Sequence, residues 1–275
     1  MRASAMFDAV ESQSRRLHTP CGHGQMIWRI WGEGRPLVFI HGGAGAWSHW
    51  IRNIPEFAKD RMVIAPDLPG LGESARPPRA YTPESIAGIV ADGLQNVLPE
   101  SGQFDMAGFS FGGMLSGLIA RLHRGRIRTL TLMGPSGLGG KFGNLKPPVK
   151  LPLRGTPEDM LAAHRHNLQA IMLHDPASID ELAMHIQGLN APRTRVNSPE
   201  HATSEKLLDA LREVPARLCS IWGENDISSP YLQHRREVIA SVHPEAEFHI
   251  VPGAGHWVQY EAAEAVNALL RSFIA

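Results

Sequence analysis

Apolar residues recur along the chain in two rhythms. Short runs at Leu37–Ile40, Met62–Ala65, Phe104–Ala107, Thr129–Met133, Arg217–Trp222 and Glu247–Val251 have the length of strands. The most continuous, Leu37–Ile40, reads as a strand buried on both faces. Met26–Trp31 alternates, and Gly32-Glu33-Gly34 closes it with a turn. Helical spacing falls between these runs. Thr82 and Pro83 are an N-cap and a first helical residue, Met114–His123 has the length of a helix, and an amphipathic stretch runs from about Glu261 to Phe273. Strands alternating with helices predict an α/β fold, a mostly parallel sheet covered on both faces.

The alternation stops at Gly134-Pro135 and returns at Arg217. Between them, Pro157–His164 and Ile179–Ile186 read as helices, separated by Pro and Gly breaks, and no run reads as a buried strand. We therefore expect a core from 1–134 and 214–275, with 135–213 as a helical cap hinged at the Pro/Gly-rich 134–157 segment. Residues 1–20 are polar enough to predict a loosely attached arm.

Candidate chemistry sits at the strand ends. Phe104–Ala107 runs into Gly108-Phe109-Ser110-Phe111-Gly112-Gly113, a serine flanked by glycines where a strand turns into a helix. That is the G-x-S-x-G elbow, whose glycines let the backbone turn without a side-chain clash and lift the serine hydroxyl at a helix N-terminus. A serine needs a base to take its proton and an acid to hold the base. Asp226 follows one late strand-like run and His256 the last. A parallel sheet brings the carboxyl ends of its strands to one edge, so Ser110, Asp226 and His256 converge there. Glu224 is the competing carboxylate. Asp67 reads as a loop cap and His41 as the anchor of its loop.

The order serine, aspartate, histidine resembles the α/β-hydrolase superfamily. So do His41-Gly42-Gly43, Pro66-Asp67 through Gly70, Gly72 and Ser74, the elbow, Gly223 with Asp226, and Gly255-His256. The resemblance implies that Ser110 attacks a carbonyl carbon, that His256 is the general base and acid, and that Asp226 orients it. It implies an oxyanion hole from the backbone N–H groups of Phe111 and Gly43. Serine in the nucleophile position argues against the dehalogenases and epoxide hydrolases of the fold, which use aspartate. Carboxylesterases and carbon–carbon hydrolases of aromatic meta-cleavage products are the similar branches. The segments 41–53 and 255–261 look like the latter, and Arg193 or Arg195 lies where those enzymes keep a substrate-binding arginine. Trp47, His49, Phe109 and Trp257 complete the expected pocket. Those enzymes carry asparagines where this chain has His49 and Phe109, so a small carboxylic ester is the leading expectation and carbon–carbon hydrolysis the alternative. A ligand binder without catalysis and a cofactor-free oxygenase or perhydrolase are alternatives of other classes.

Composition narrows the partners. Lys+Arg and Asp+Glu are 27 each, which gives no electrostatic reason to expect nucleic acid or an anionic membrane surface. No window has the length of an apolar span and the first residues do not resemble a signal peptide, so a cytoplasmic location is expected. Cys21 and Cys219 read as free thiols. Gly43-Ala44-Gly45 lacks the rest of a dinucleotide fingerprint, and the 14 histidines show no metal-ligand spacing. The expectation is a small-molecule substrate, no cofactor and no metal, with oligomeric state open between monomer and homodimer.

Overall fold

The computed structural model describes residues 3–100, 102–140, 148–152, 154–229 and 231–275. All seven predicted strands form and an eighth precedes them. They are β1 (Arg15–Cys21), β2 (Gly24–Trp31), β3 (Arg35–Ile40), β4 (Arg61–Pro66), β5 (Phe104–Phe109), β6 (Ile127–Met133), β7 (Arg217–Gly223) and β8 (Glu247–Val251). They make one sheet in the order β1-β2-β4-β3-β5-β6-β7-β8. Only β1 and β2 run antiparallel to their neighbours.

Side-chain alternation along β3 explains its unbroken apolar run. Leu37 and Phe39 enter the core on one face, and Val38 and Ile40 enter the core on the other. Ten helices surround the sheet: α1 (Ala3–Ser12), α2 (Ile54–Phe57), α3 (Pro83–Val97), α4 (Phe111–Leu122), α5 (Pro157–Asn167), α6 (Glu181–Asn190), α7 (Lys206–Leu211), α8 (Leu232–Ala240), α9 (Val258–Glu261) and α10 (Ala263–Phe273), counted among the described residues. Helices α3, α4 and α7 contribute to the first core, and α1, α6 and α10 to the second. The predicted cap of α3 is present: the Thr82 hydroxyl accepts from Ser85 N–H and Pro83 opens the helix. The final helix is broken into α9 and α10 at Ala262, where φ is −123° and ψ 49°.

From 135 to 213 the described residues form α5, α6, α7, a π-helical turn at Leu168–Met172 and short 3-10 turns, without a strand. Part of the predicted 134–157 hinge lies outside the described residues. Both cysteines are free and buried. No helix among the described residues is long and apolar enough to cross a membrane.

The N-terminal arm is a correction. Residues 3–12 form α1, and β1 pairs with β2 along its full length. Strand β1 was masked because an antiparallel edge strand keeps a wet face; its burial rises only at Thr19 and Cys21. Helix α1 is held by Phe7 and Val10, both buried, and by Glu11. Phe7 packs on Trp47 with ring centroids 5.0 Å apart, and the Trp31 indole N–H donates to Val10 O at 2.7 Å. Glu11 pairs with the buried Arg29 at 2.8 Å. Phe7→Ala is expected to lower the unfolding free energy in urea by about 3 kcal/mol, the cost of deleting a buried aromatic ring. A loose arm would hold the change within about 0.5 kcal/mol.

Candidate active site

Ser110 joins β5 to α4 with φ 54° and ψ −118°, a left-handed conformation that a side chain adopts only at a cost. Ser110 N–H donates to Met133 O at 2.9 Å, which ties the turn to β6. Gly112 explains how α4 can begin so tightly. A Cβ there would lie 2.2 Å from His41 O and 2.5 Å from Ile40 O. The helix therefore starts directly over the end of β3, beside the 41–43 loop.

The three residues expected to converge do so. Ser110 Oγ lies 2.9 Å from His256 Nε2, and His256 Nδ1 lies 2.8 Å from Asp226 Oδ2. Asp226 and His256 are buried, and the carboxylate is an acceptor only, so Nδ1 carries the proton. Nε2 then presents its lone pair to the Ser110 hydroxyl. The other carboxylate oxygen accepts from Ser228 N–H at 2.9 Å and Ser228 Oγ–H at 2.6 Å. Ser228 escaped the sequence reading. Its signal is a hydroxyl two residues after an aspartate, the spacing at which an Asp side chain caps its own turn.

Gly134 shapes the same pair from β6. Its φ is +48°, and a Cβ would sit 2.9 Å from Asp226 Oδ2 and 3.1 Å from His256 Nδ1. Glu224, the competing acid, is exposed and accepts from Gly253 N–H at 3.0 Å, away from the imidazole.

His41 and Asp67 hold loops, as expected. Leu68 N–H donates to His41 Nε2 at 2.9 Å, and His41 Nδ1 donates to Gly42 O at 2.7 Å. Burial pushes the His41 pKa down to about 4, against the smaller opposing pull of Asp67. Asp67 accepts from Trp47 N–H and Glu73 N–H and pairs with Arg29 at 3.1 Å. Phe111 opens α4, where a backbone N–H has no intrahelical acceptor. Neither it nor Gly43 N–H has another partner among the described residues.

The expected pocket residues divide. Phe109 lies 4.9 Å from the His256 ring and 5.6 Å from His49, which lies 4.9 Å from Trp257. These three form an aromatic wall beside the imidazole. His49 is buried and its Nδ1 has no partner among the described residues; burial above all, then His41 and His256, holds its pKa well below the ordinary histidine value.

Trp47 and Arg193 are placed elsewhere. They line a separate cavity of about 220 Å³ with Phe7, Glu11, Arg29 and Glu73, which shares no residue with the cavity at Ser110. The 3-10 turn Trp47–Trp50 repeats every three residues, so Trp47 faces away from the side His49 presents. Arg193 lies 3.8 Å from Glu73, and Arg195 donates to Gly72 O and Ser74 O. The cavity at Ser110 is small, about 20 Å³, and is lined by Ser136, Leu138, Ala202, Ser229, Arg235 and His256 among others.

Away from this site, Cys219, Glu247 and His249 bring one ligand atom each within 4.8 Å of the others. Burial pushes the Cys219 thiol up to about 12, which disfavours the thiolate a metal requires.

A sequence profile described as the alpha/beta hydrolase family matches residues 37–269. The chain belongs to this family. Among its relatives, a 2-hydroxy-6-oxo-6-phenylhexa-2,4-dienoate hydrolase of Burkholderia cepacia is 32% identical over 270 residues, 89% of each chain. A 2-hydroxy-6-oxononadienedioate/2-hydroxy-6-oxononatrienedioate hydrolase of Comamonas testosteroni is 31% identical over the same shares. The hydrolase also shares its fold with a thermophilic esterase from Thermogutta terrifontis, at a TM-score of 0.69 and 22% identity, covering 95% of this chain and 98% of that one.

The burial of His41 is expected to make the hydrolase acid-sensitive. An unfolded histidine takes its proton near 6.5, whereas His41 resists until about 4, so between those values the unfolded chain binds the extra proton. Stability is fully present above pH 6.5 and is expected to fall towards pH 4 by about 3 kcal/mol from this residue. Urea unfolding between pH 7 and 4.5 checks it. His41→Gln is expected to give a shallower pH slope than the wild type, and an unchanged slope contradicts the assignment.

Proposed function

We propose that this chain is a serine hydrolase with Ser110 as nucleophile, His256 as general base and acid, and Asp226 as the residue that orients and stabilises the imidazolium. The observation that carries the reading is the continuous hydrogen-bond chain from Ser110 Oγ through His256 to Asp226. Ser110 Oγ attacks a carbonyl carbon and its proton passes to Nε2. The oxyanion lies against the N–H groups of Phe111 and Gly43, each worth about 3 kcal/mol in such sites. Collapse of the tetrahedral intermediate breaks the bond to the leaving group, which takes the proton back from Nε2. Water then attacks the acyl-Ser110, delivering a proton to His256, and collapse of the second tetrahedral intermediate breaks the bond to Ser110 Oγ, which takes that proton back as the acid departs.

The substrate class we favour is a 2-hydroxy-6-oxo-dienoate whose carbon–carbon bond is cleaved beside the ketone. For that step the substrate's enol must first ketonise, the 2-hydroxyl losing its proton and C5 gaining one, so that the electron pair left on C5 when the bond breaks is delocalised into the 2-oxo-enoate. The relatives' names support this class. So does His49, whose unpartnered Nδ1 offers a polar contact in the aromatic wall. A small carboxylic ester is the second reading, supported by the apolar Phe109 against His256.

The 135–213 stretch is proposed as a cap. Its residues Ala202, Gly137 and Leu138 line the small cavity at Ser110, so on this reading the stretch moves to admit substrate. Hydrolysis of p-nitrophenyl esters and of a synthetic dienoate tests the account. Ser110→Ala is expected to lower turnover of both at least 10³-fold. Preference for the dienoate over the acetate and butyrate esters supports carbon–carbon hydrolysis, and dienoate inertness with ester turnover supports the second reading. Equal rates for bulky and small esters would count against a gating cap.

A further inference from the structure

Arg235 projects from α8 into the wall of the small cavity that also contains Ser110 and His256. The residue is only 9% exposed. Buried arginines normally sit beside a carboxylate, because an isolated buried charge is heavily penalised. Arg235 has none: among the described residues, no carboxylate oxygen comes within the 4.0 Å of an ion pair. Its Nε–H donates to Ser229 Oγ at 2.6 Å, and Nη1 donates to Gly139 O at 2.7 Å. Both acceptors are neutral, and they use two of the five donors a guanidinium carries. Asp226 is the anion whose field reaches it, but that carboxylate is already engaged by His256 and Ser228. The cavity wall therefore carries a buried cationic fork without a counter-ion, beside the hydroxyl expected to attack.

We propose that Arg235 is the anion-binding group of this site and takes a carboxylate borne by the substrate, through the planar two-point contact that guanidinium makes with carboxylate. The proposal rests on Ser110 being the nucleophile. It reassigns the role expected of Arg193 or Arg195. Arg193 faces Glu73 in the other cavity, and Arg195 is engaged by the carbonyls of Gly72 and Ser74. A singly charged carboxylate suits this wall better than a doubly charged group, because the Asp226 charge nearby repels a second negative charge further. Arg235 is then a specificity residue: it selects substrates whose scissile carbonyl has a carboxylate within reach.

The test compares mono-p-nitrophenyl succinate with p-nitrophenyl butyrate, which match in length and differ in the terminal charge. The wild type is expected to favour the succinate ester in kcat/KM. Arg235→Gln, which keeps donors but loses the charge, is expected to lower the succinate-to-butyrate ratio by about 10- to 100-fold, the range for a charged hydrogen-bonded contact. Arg235→Lys should recover part of it. An unchanged ratio in Arg235→Gln, with both esters losing activity equally, would make the residue a structural tie between Ser229 and Gly139 and overturn the proposal. A second measurement needs no variant. Butyrate should inhibit wild-type hydrolysis of the neutral ester more strongly than butyramide, and equal inhibition is a refutation. Ser110→Ala keeps the two failures apart: if it still hydrolyses both esters, the nucleophile assignment fails rather than the anion site.

Discussion

The site depends on how closely α4 passes over the end of β3. Gly112 lies against the carbonyls of Ile40 and His41, so the helix starts where any side chain would collide with the strand. Ser110 accepts a left-handed backbone as the consequence, and its N–H is tied across to β6. That crossing brings the serine, the glycine loop after β3 and the loop after β6 together. The sheet order then supplies the rest: β7 lies beside β6 and β8 beside β7, all parallel, so the loops that carry Asp226 and His256 open on the same edge. Gly134, with no side chain, is what lets the histidine–aspartate pair lie flat against the end of β6.

Charge is handled sparingly around this edge. His41 and His49 are buried and held neutral, so neither competes with Asp226 for the His256 proton or adds a cation to the aromatic wall. Asp67, Arg29, Glu11 and Glu73 satisfy one another on the far side of the 41–50 loop. Arg235 is the exception, a buried cation in the reaction cavity whose hydrogen bonds run to neutral oxygens. Arg29 is fully paired, whereas Arg235 has no carboxylate partner among the described residues.

Much of this was legible in the chain. Strand runs such as Leu37–Ile40 are apolar at every position because the sheet is covered on both faces, and the elbow glycines are required by contacts of about 2 Å that no other residue permits. Ser110, Asp226 and His256 could be placed because strand ends in a parallel sheet share one edge. What stayed hidden depends on direction rather than on element. Trp47 and His49 are two residues apart, yet the 3-10 turn sends Trp47 to the cavity at Phe7 and Arg193 and His49 to the aromatic wall of Phe109 and Trp257. Arg193 falls in the expected stretch but points to Glu73, while Arg235 lies between Leu232 and Ile239 on a helix that is mostly polar. The N-terminal strand is hard to read because Arg16, His18 and Pro20 alternate onto the wet face of an edge and Arg15 is exposed at its end.

The proposed chemistry needs one serine made nucleophilic by its neighbours, and covalent labelling reads that directly. The chain treated with a fluorophosphonate should gain one adduct by intact mass, and peptide mapping should place it on Ser110. Asp226→Asn, which holds the imidazole in the wrong tautomer, should slow labelling by about 10⁴-fold. Labelling of another serine, or a rate indifferent to Asp226, would contradict the central claim.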